Sequence, residues 1–311
     1  MMCSSMLLER MNTMYEFTAL VKRHMLKFLR DKTAVFFSFL SVIILLTLYF
    51  LFIGENYVSE LRRPEYAGVI DANLIDYLKI SNMMGGILVI NTISLSLGIM
   101  GNIITDLEQR SLDAYLVTPV KRYKIIFSYY LSAILVTVFF TVLMWAFTII
   151  YVGIVSSYWF PFMVIIQALG LLILFTFVSA SLMIYLVTLL KSVNAFGTLS
   201  GILGTLVGFI CGIYMPLAIF SNSIQYVASA IPFTHMTILL KNVMLEEPMR
   251  LLNDAIQSEQ AISEMRLYFG MNEIGFFGME VHMTWLMIGS VLIAGVLLYL
   301  GYRNMSKKIK H

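Results

Sequence analysis

Charge is scarce in this sequence, and scarce in long stretches. Asp, Glu, Lys and Arg supply 13% of the 311 residues and hydrophobic types 59%, where a soluble domain carries about 25% charged residues. Twenty-two uncharged residues separate Lys32 from Glu55, 26 separate Lys79 from Asp106, and 66 separate Lys124 from Lys191. A further 49 separate Lys191 from Lys241, and 22 separate Glu280 from Arg303. Buried helices of soluble proteins rarely run so far without a charge, which sets a water-soluble fold aside.

Other absences narrow the chemistry. There are two cysteines, Cys3 in the N-terminal tail and Cys211 inside an apolar run, and they make no sensible disulfide. Ionisable residues are almost missing from the apolar runs, whereas proton- or sodium-coupled transporters need carboxylates, histidines or opened backbone at membrane depth. His235 and His282 sit near a boundary and read as structural. No Gly-x-x-x-x-Gly-Lys-Ser/Thr loop is present, so the chain does not hydrolyse ATP unaided. No metal-ligand cluster or nucleophile–base pair is visible, and no catalytic residue is expected. A partner ATPase reconciles the missing ion site with the missing phosphate loop.

What is present is a set of membrane spans. About 20 apolar residues cross the hydrocarbon as a helix, so the first, second and last runs hold one span each, at about 33–53, 82–104 and 282–302. The 66-residue run breaks at Gly153-Ile154-Val155-Ser156-Ser157-Tyr158-Trp159-Phe160-Pro161 and reads as a hairpin, 124–153 and 161–190. The 49-residue run holds one span, 197–215, which Pro216 ends or kinks, then a remainder too short to cross. The fold class expected is an all-α polytopic membrane protein with six transmembrane helices. With the N-terminus inside, 15 Lys and Arg residues fall on the inner side and 6 on the outer. That positive-inside bias places both termini in the cytoplasm.

The segments between spans carry the detail. The Met-rich start reads as unstructured lead-in, with Met11 and Met14 as candidate start residues, and no cleavable signal peptide is expected. Residues 14–30 form an amphipathic helix with Met14, Phe17, Val21, Met25 and Phe28 on one face and Glu16, Arg23, Lys27 and Arg30 opposite. Such a basic helix suits the cytoplasmic membrane interface, with docking on another protein as the alternative. Residues 54–80 read as an outer loop, 217–245 as an outer re-entrant or interfacial hairpin, and 246–280 as an outer helical segment. The chain thus divides into a tail and interfacial helix (1–32), a transmembrane domain (33–303) and a basic tail (304–311).

Two further features bear on partners. Thr105 and Glu108 have capping-box spacing, so a new helix is expected to start there, with Leu112, Tyr115 and Leu116 on one face and Pro119 as its stop. Spacing alone leaves open whether that face meets lipid or a protein. Gly197, Gly201, Gly204, Gly208 and Gly212 stripe the fifth span at intervals that let helices approach closely in lipid. The partner is either a neighbouring helix of the same chain or a second subunit. Ser94, Gly98, Gly101 and Asn102 make a shorter small-polar face on the second span and read as packing. Asn91, Asn102 and Gln167 read as interhelical hydrogen-bonding groups.

The segment Thr105-Asp106-Leu107-Glu108-Gln109-Arg110-Ser111-Leu112-Asp113-Ala114-Tyr115-Leu116-Val117-Thr118-Pro119 resembles a loop of ABC-2 type permeases, the membrane subunits of exporters of the daunorubicin-resistance kind. Their pattern runs Glu-Arg-Gly-Thr-Leu, five residues, then Thr or Ser before Pro. Glu108, Ser111, Leu112, Thr118 and Pro119 match, while Gln109 and Arg110 replace the Arg and Gly. A second likeness lies in Gly212-Ile213-Tyr214-Met215-Pro216-Leu217 and Ile231-Pro232-Phe233-Thr234-His235, which resemble the Gly-x-x-x-Pro-Leu and Pro-x-Thr-His of that family. Lys241 stands near the place of an Arg that usually follows.

The resemblance implies that Glu108, Leu112, Tyr115, Leu116 and Pro119 couple to a separate ATPase, present in two copies and holding ATP and Mg. It implies a homodimer with spans 1 and 5 facing across the path, and a re-entrant hairpin marked by Pro216, Pro232 and His235. The expected function is export of an amphipathic or lipid-like small molecule across a bacterial plasma membrane, with no nucleic acid involved. The rivals are a scramblase or channel without an ATPase, and a membrane enzyme acting on lipid-linked substrate.

Overall fold

The computed structural model describes residues 2–62, 68–112, 120–272 and 282–308, with the backbone alone at 2–13, 41, 60 and 218. Its regular elements are all helical. They are α1 (Met2–Arg30), α2 (Lys32–Val58), α3 (Ala72–Glu108), α4 (Arg122–Ser156), α5 (Phe162–Leu189), α6 (Val193–Ile210), α7 (Asn222–Ser229), α8 (Pro232–Ile256), α9 (Glu259–Tyr268) and α10 (Met283–Lys308). Six of these, α2 to α6 and α10, are long and apolar enough to cross a membrane.

Local chemistry sets the boundaries. Asp31 accepts the Ala34 N–H at 2.9 Å and starts α2, and Ser192 accepts the Ala195 N–H at 3.2 Å and starts α6. These side chains satisfy amides that the first helical turn leaves unpaired. The turn between α4 and α5 begins at Ser157, whose φ of 60° ends α4, and the Trp159 indole lies over Gly153, where an added Cβ would come within 2.6 Å of it. Within α2 the stretch Tyr49–Ile53 is π-helical. There the Tyr49 hydroxyl donates to the Lys79 carbonyl of α3 at 3.0 Å.

Several boundaries differ from the sequence reading. Helix α1 starts at Met2, because Met, Leu, Glu and Arg are all good helix formers and no Gly or Pro interrupts them. Helix α3 starts at Ala72, ten residues early, since Asp71 caps it and Leu74, Ile75 and Leu78 bury their side chains. Helix α8 runs unbroken past residue 245 with Pro248 inside it. Helix α6 ends at Ile210, ahead of Pro216. Helix α10 continues to Lys308, whose ammonium donates to the Leu190 carbonyl.

Helix α3 is the axis of the bundle. Of its most apolar window 78% is buried, against 11% for α6 and 22% for α10. Helices α2, α4, α5, α6 and α8 all pack on it. Two glycines of α3 permit close approaches by the flanking spans: a Cβ on Gly98 would lie 1.9 Å from Ser38 Oγ of α2, and one on Gly101 would lie 2.8 Å from the Phe196 ring of α6. Gly98 and Gly101 of the small-polar face are therefore packing positions. A buried seam of hydrogen bonds joins α3 to α4 and α5: Asn91 to Thr141 at 3.2 Å, Thr92 to Ser179 at 3.0 Å and Ser96 to Thr137 at 3.4 Å. Such bonds contribute about 0.6 kcal/mol each between membrane helices. Gln167, by contrast, is exposed.

Candidate functional site

Helices α2 and α6 flank the same side of α3 with little contact between them. The space left is a cleft of about 1240 Å³. Its walls are mainly apolar, including Phe37, Ile44, Ile93, Leu97 and Phe209, with hydroxyl groups from Ser38, Ser94, Ser200 and Thr205. Among the described residues no Asp, Glu, Lys, Arg or His lines it. A space with this lining can accept a neutral molecule or another apolar helix.

The glycine stripe of α6 divides between two roles. Gly197, Gly201 and Gly204 line the cleft, and an added Cβ on Gly197 or Gly201 meets nothing within 4 Å. These positions are not packed by the chain itself. Gly208 lies under the Tyr214 ring, 2.1 Å from an added Cβ. Gly212 has a φ of +67° and terminates α6: the Ile213 N–H reaches the Gly208 carbonyl at 3.0 Å and the Gly212 N–H the Phe209 carbonyl at 3.1 Å. This is a helix C-terminus that needs a left-handed residue, so Gly212 rather than Pro216 ends the span.

Beyond Gly212 the chain doubles back through a short 3₁₀ turn, Leu217–Ile219, and α7 into α8. Pro216 is buried ahead of that turn. Pro232 occupies the first turn of α8, where its missing N–H costs nothing. The next residues are fasteners. Thr234 donates to the Ile210 carbonyl at 3.2 Å. His235, 3% exposed, places Nε2 2.8 Å from the Ser229 carbonyl; a carbonyl only accepts, so Nε2 carries the proton. Lys241, one helical face on, donates to the carbonyls of Gly212 and Phe269, each at 3.2 Å. Burial drives its amine down to about 7.

At the end of the bundle that carries α1, charged groups concentrate. Asp106, 1% exposed in the last turns of α3, accepts from Lys27 at 2.6 Å, from Arg23 at 3.3 Å and from the Tyr129 hydroxyl of α4. The His24 ring stacks on Tyr129 at 3.7 Å, and burial together with Arg23 pushes its imidazole down to about 3, so it is neutral. Lys124 of α4 reaches Glu16 at 2.7 Å. Helix α1 thus docks on its own bundle by a face centred on Leu20, Val21, His24 and Phe28, all buried, and its Met14 stays exposed. The packed face is turned towards His24 from the apolar stripe expected, because the paired charges at its margin need α3 and α4.

The coupling segment keeps only part of its expected form. Thr105 and Glu108 belong to the last turn of α3 and start no new helix. Glu108 instead accepts the Val193 N–H of α6 at 3.0 Å. Arg110 has a φ of 54°, with the Ser111 N–H on the Asp106 carbonyl at 2.9 Å. This is the left-handed terminus where the resembled pattern carries glycine. Leu112, 3% exposed, turns into the bundle instead of outward. Tyr115, Leu116 and Pro119 lie outside the described residues.

The groups that sequence reasoning passed over are Asp106, Tyr129 and His24, a cluster whose one visible signal was a carboxylate closing a 26-residue uncharged run. Against this arrangement of spans, cleft and fastened hairpin, residues 15–245 match the model of a family described as ABC-2 type transporter. No curated protein matches the chain.

Proposed function

Because this chain belongs to the ABC-2 type transporter family, and is thus a non-catalytic membrane subunit that pairs with ABC ATPases, we propose that it is the permease of an exporter of the daunorubicin-resistance kind. Two copies face each other across α2 and α6, and two ATPase subunits holding ATP and Mg drive them. The observation that carries this reading is the unfilled side of α6. Gly197 and Gly201 have open space where a Cβ would point, beside a cleft that α2 borders. Only Val207 and Gly208 of α6 are buried by the described chain, which leaves room for a second copy or for cargo.

In this reading residues 33–303 form the membrane domain, with 1–32 and 304–311 on the cytoplasmic side of a bacterial plasma membrane. The hairpin over 217–245, held by Pro216, Pro232 and His235, is re-entrant at the outer face. The segment that follows Glu108 meets the ATPase through Tyr115, Leu116 and Pro119, with Leu112 anchoring it in the bundle. Its closure on ATP is transmitted through the α3 terminus to α1, which Asp106 ties to the same point. The uncharged cleft suits an amphipathic or lipid-like cargo, since an ion would lose its hydration there without a countercharge.

Affinity purification of the chain from its native membrane tests the reading. An ABC ATPase is expected to co-purify, and Tyr115→Asp with Leu116→Asp to abolish both the association and export. Recovery of lipid or solute movement in vesicles without any ATPase would instead establish a scramblase or channel.

A further inference from the structure

Lys241 sits where five helices meet. Its stem crosses Gly85 of α3, where an added Cβ would lie 2.9 Å from Lys241 Cγ and 3.3 Å from its Cα. Its nitrogen stands 3.2 Å from the carbonyls of Gly212, after α6, and Phe269, after α9. The Tyr57 ring of α2 is centred 5.9 Å away. The residue is 2% exposed, and among the described residues no carboxylate pairs with it. Burying an amine without a countercharge is unfavourable, and an apolar side chain would fill the same space.

What the amine adds is a link between two helix ends. Both carbonyls belong to C-termini, where peptide dipoles concentrate negative charge and carbonyls lack helical partners. Residues beside both ends also line the cleft. Tyr214, Met215 and Pro216 follow Gly212, while Tyr268 precedes Phe269 and packs edge-on against Tyr57, with ring centroids 5.6 Å apart; all five line the cleft. Tyr57 in turn stacks between Tyr49 and Phe269.

We infer that Lys241 is a positioning residue that tethers the α6 side of the cleft to the α9 and α2 side and so sets its width. The α6 end cannot separate from α9 without breaking a bond to Lys241. Either protonation state of the amine keeps at least two N–H donors for the two carbonyls, so the tether does not depend on the charge. The inference rests on reading the cleft as the transport path, but its test needs no ATPase.

The test uses the full chain in vesicles with Cys3→Ala and Cys211→Ala, and a single reporter at Thr205→Cys in the cleft or Lys191→Cys far from it. A water-soluble maleimide is added to each face of the membrane in turn. Lys241→Met, which keeps the stem and loses the donors, is expected to raise the labelling rate at position 205 about tenfold from one face and leave position 191 unchanged. Lys241→Arg, which keeps the donors, is expected to return the parent rate. If Lys241→Met does not fold, Lys241→Gln, with donors on a shorter arm, is expected to raise the rate at 205 by a smaller factor. Equal rates in parent and variant, or the same increase at both positions, would overturn the tether. Neither result bears on ATPase co-purification, so the exporter reading stands or falls separately.

Discussion

Glu108 closes one span and caps another: its carboxylate accepts the backbone N–H of Val193 at 3.0 Å, joining the last turn of α3 to the first turn of α6. A negative group at a helix N-terminus contributes about 0.3–1 kcal/mol when exposed. Glu108→Gln is therefore expected to lower stability by about that amount and to speed hydrogen exchange at the Val193 and Asn194 amides. Unchanged exchange there would mean that Ser192 alone caps α6.

Arg110 occupies a left-handed terminus that favours glycine. Arg110→Gly removes a steric cost of about 1–2 kcal/mol and adds freedom to the unfolded chain. A net gain of about 0.5–1 kcal/mol is expected in denaturant titration. A loss of stability would show that the Arg110 side chain makes a contact worth more than the strain.

The glycines of α3 and α6 respond oppositely to a methyl group. Gly98→Ala places Cβ on the Ser38 hydroxyl and is expected to cost about 1–3 kcal/mol, with Ser38→Ala restoring most of it. Gly201→Ala finds open space and is expected to stabilise the isolated chain by about 0.5–1 kcal/mol, because alanine is the better helix former. In the proposed dimer the same methyl group lowers the cross-linking yield between two copies.

Asp106→Asn keeps the volume and removes the charge that Lys27 and Arg23 share. Hydrogen bonds to charged groups contribute about 1.5–3 kcal/mol, and both cations are about one-third exposed, which softens their loss. A fall of about 1–2 kcal/mol is expected, with faster proteolysis of α1 ahead of any change in α8.

Stability should rise with pH above neutrality through Lys241. Its amine titrates at about 7 when buried and near 10.4 when unfolded. Between those values the unfolded chain binds the extra proton, so folding strengthens as pH rises. The melting temperature of the parent relative to Lys241→Met is expected to climb between pH 7 and 9, and a flat difference would contradict the buried amine.

The six candidate spans were legible because bilayer thickness imposes itself directly on run length, and α2 to α6 and α10 cover the charge-free runs. Helix ends were less legible. Asp71 and Ser192 are ordinary capping residues, yet only the burial of Leu74 and Leu78 shows why α3 begins so early. Thr105 and Glu108 carry capping-box spacing but sit at a C-terminus, since α3 stays packed through Asp106 and has no reason to break. The Pro-x-Thr-His motif was visible as letters. Its meaning, Thr234 on the Ile210 carbonyl and His235 on the Ser229 carbonyl, depends on a chain reversal that spacing does not encode. The face by which α1 docks likewise follows from Asp106, a partner 79 residues from Lys27 in sequence.

The cleft between α2 and α6 also has an electrical character. A membrane potential does about 2.3 kcal/mol of work per elementary charge for each 100 mV, but only on charge that moves. No Asp, Glu, Lys, Arg or His lines the cleft among the described residues, so its walls hold no gating charge for voltage to pull. A neutral molecule passing through would carry no current, and its rate would be insensitive to the cell's resting potential.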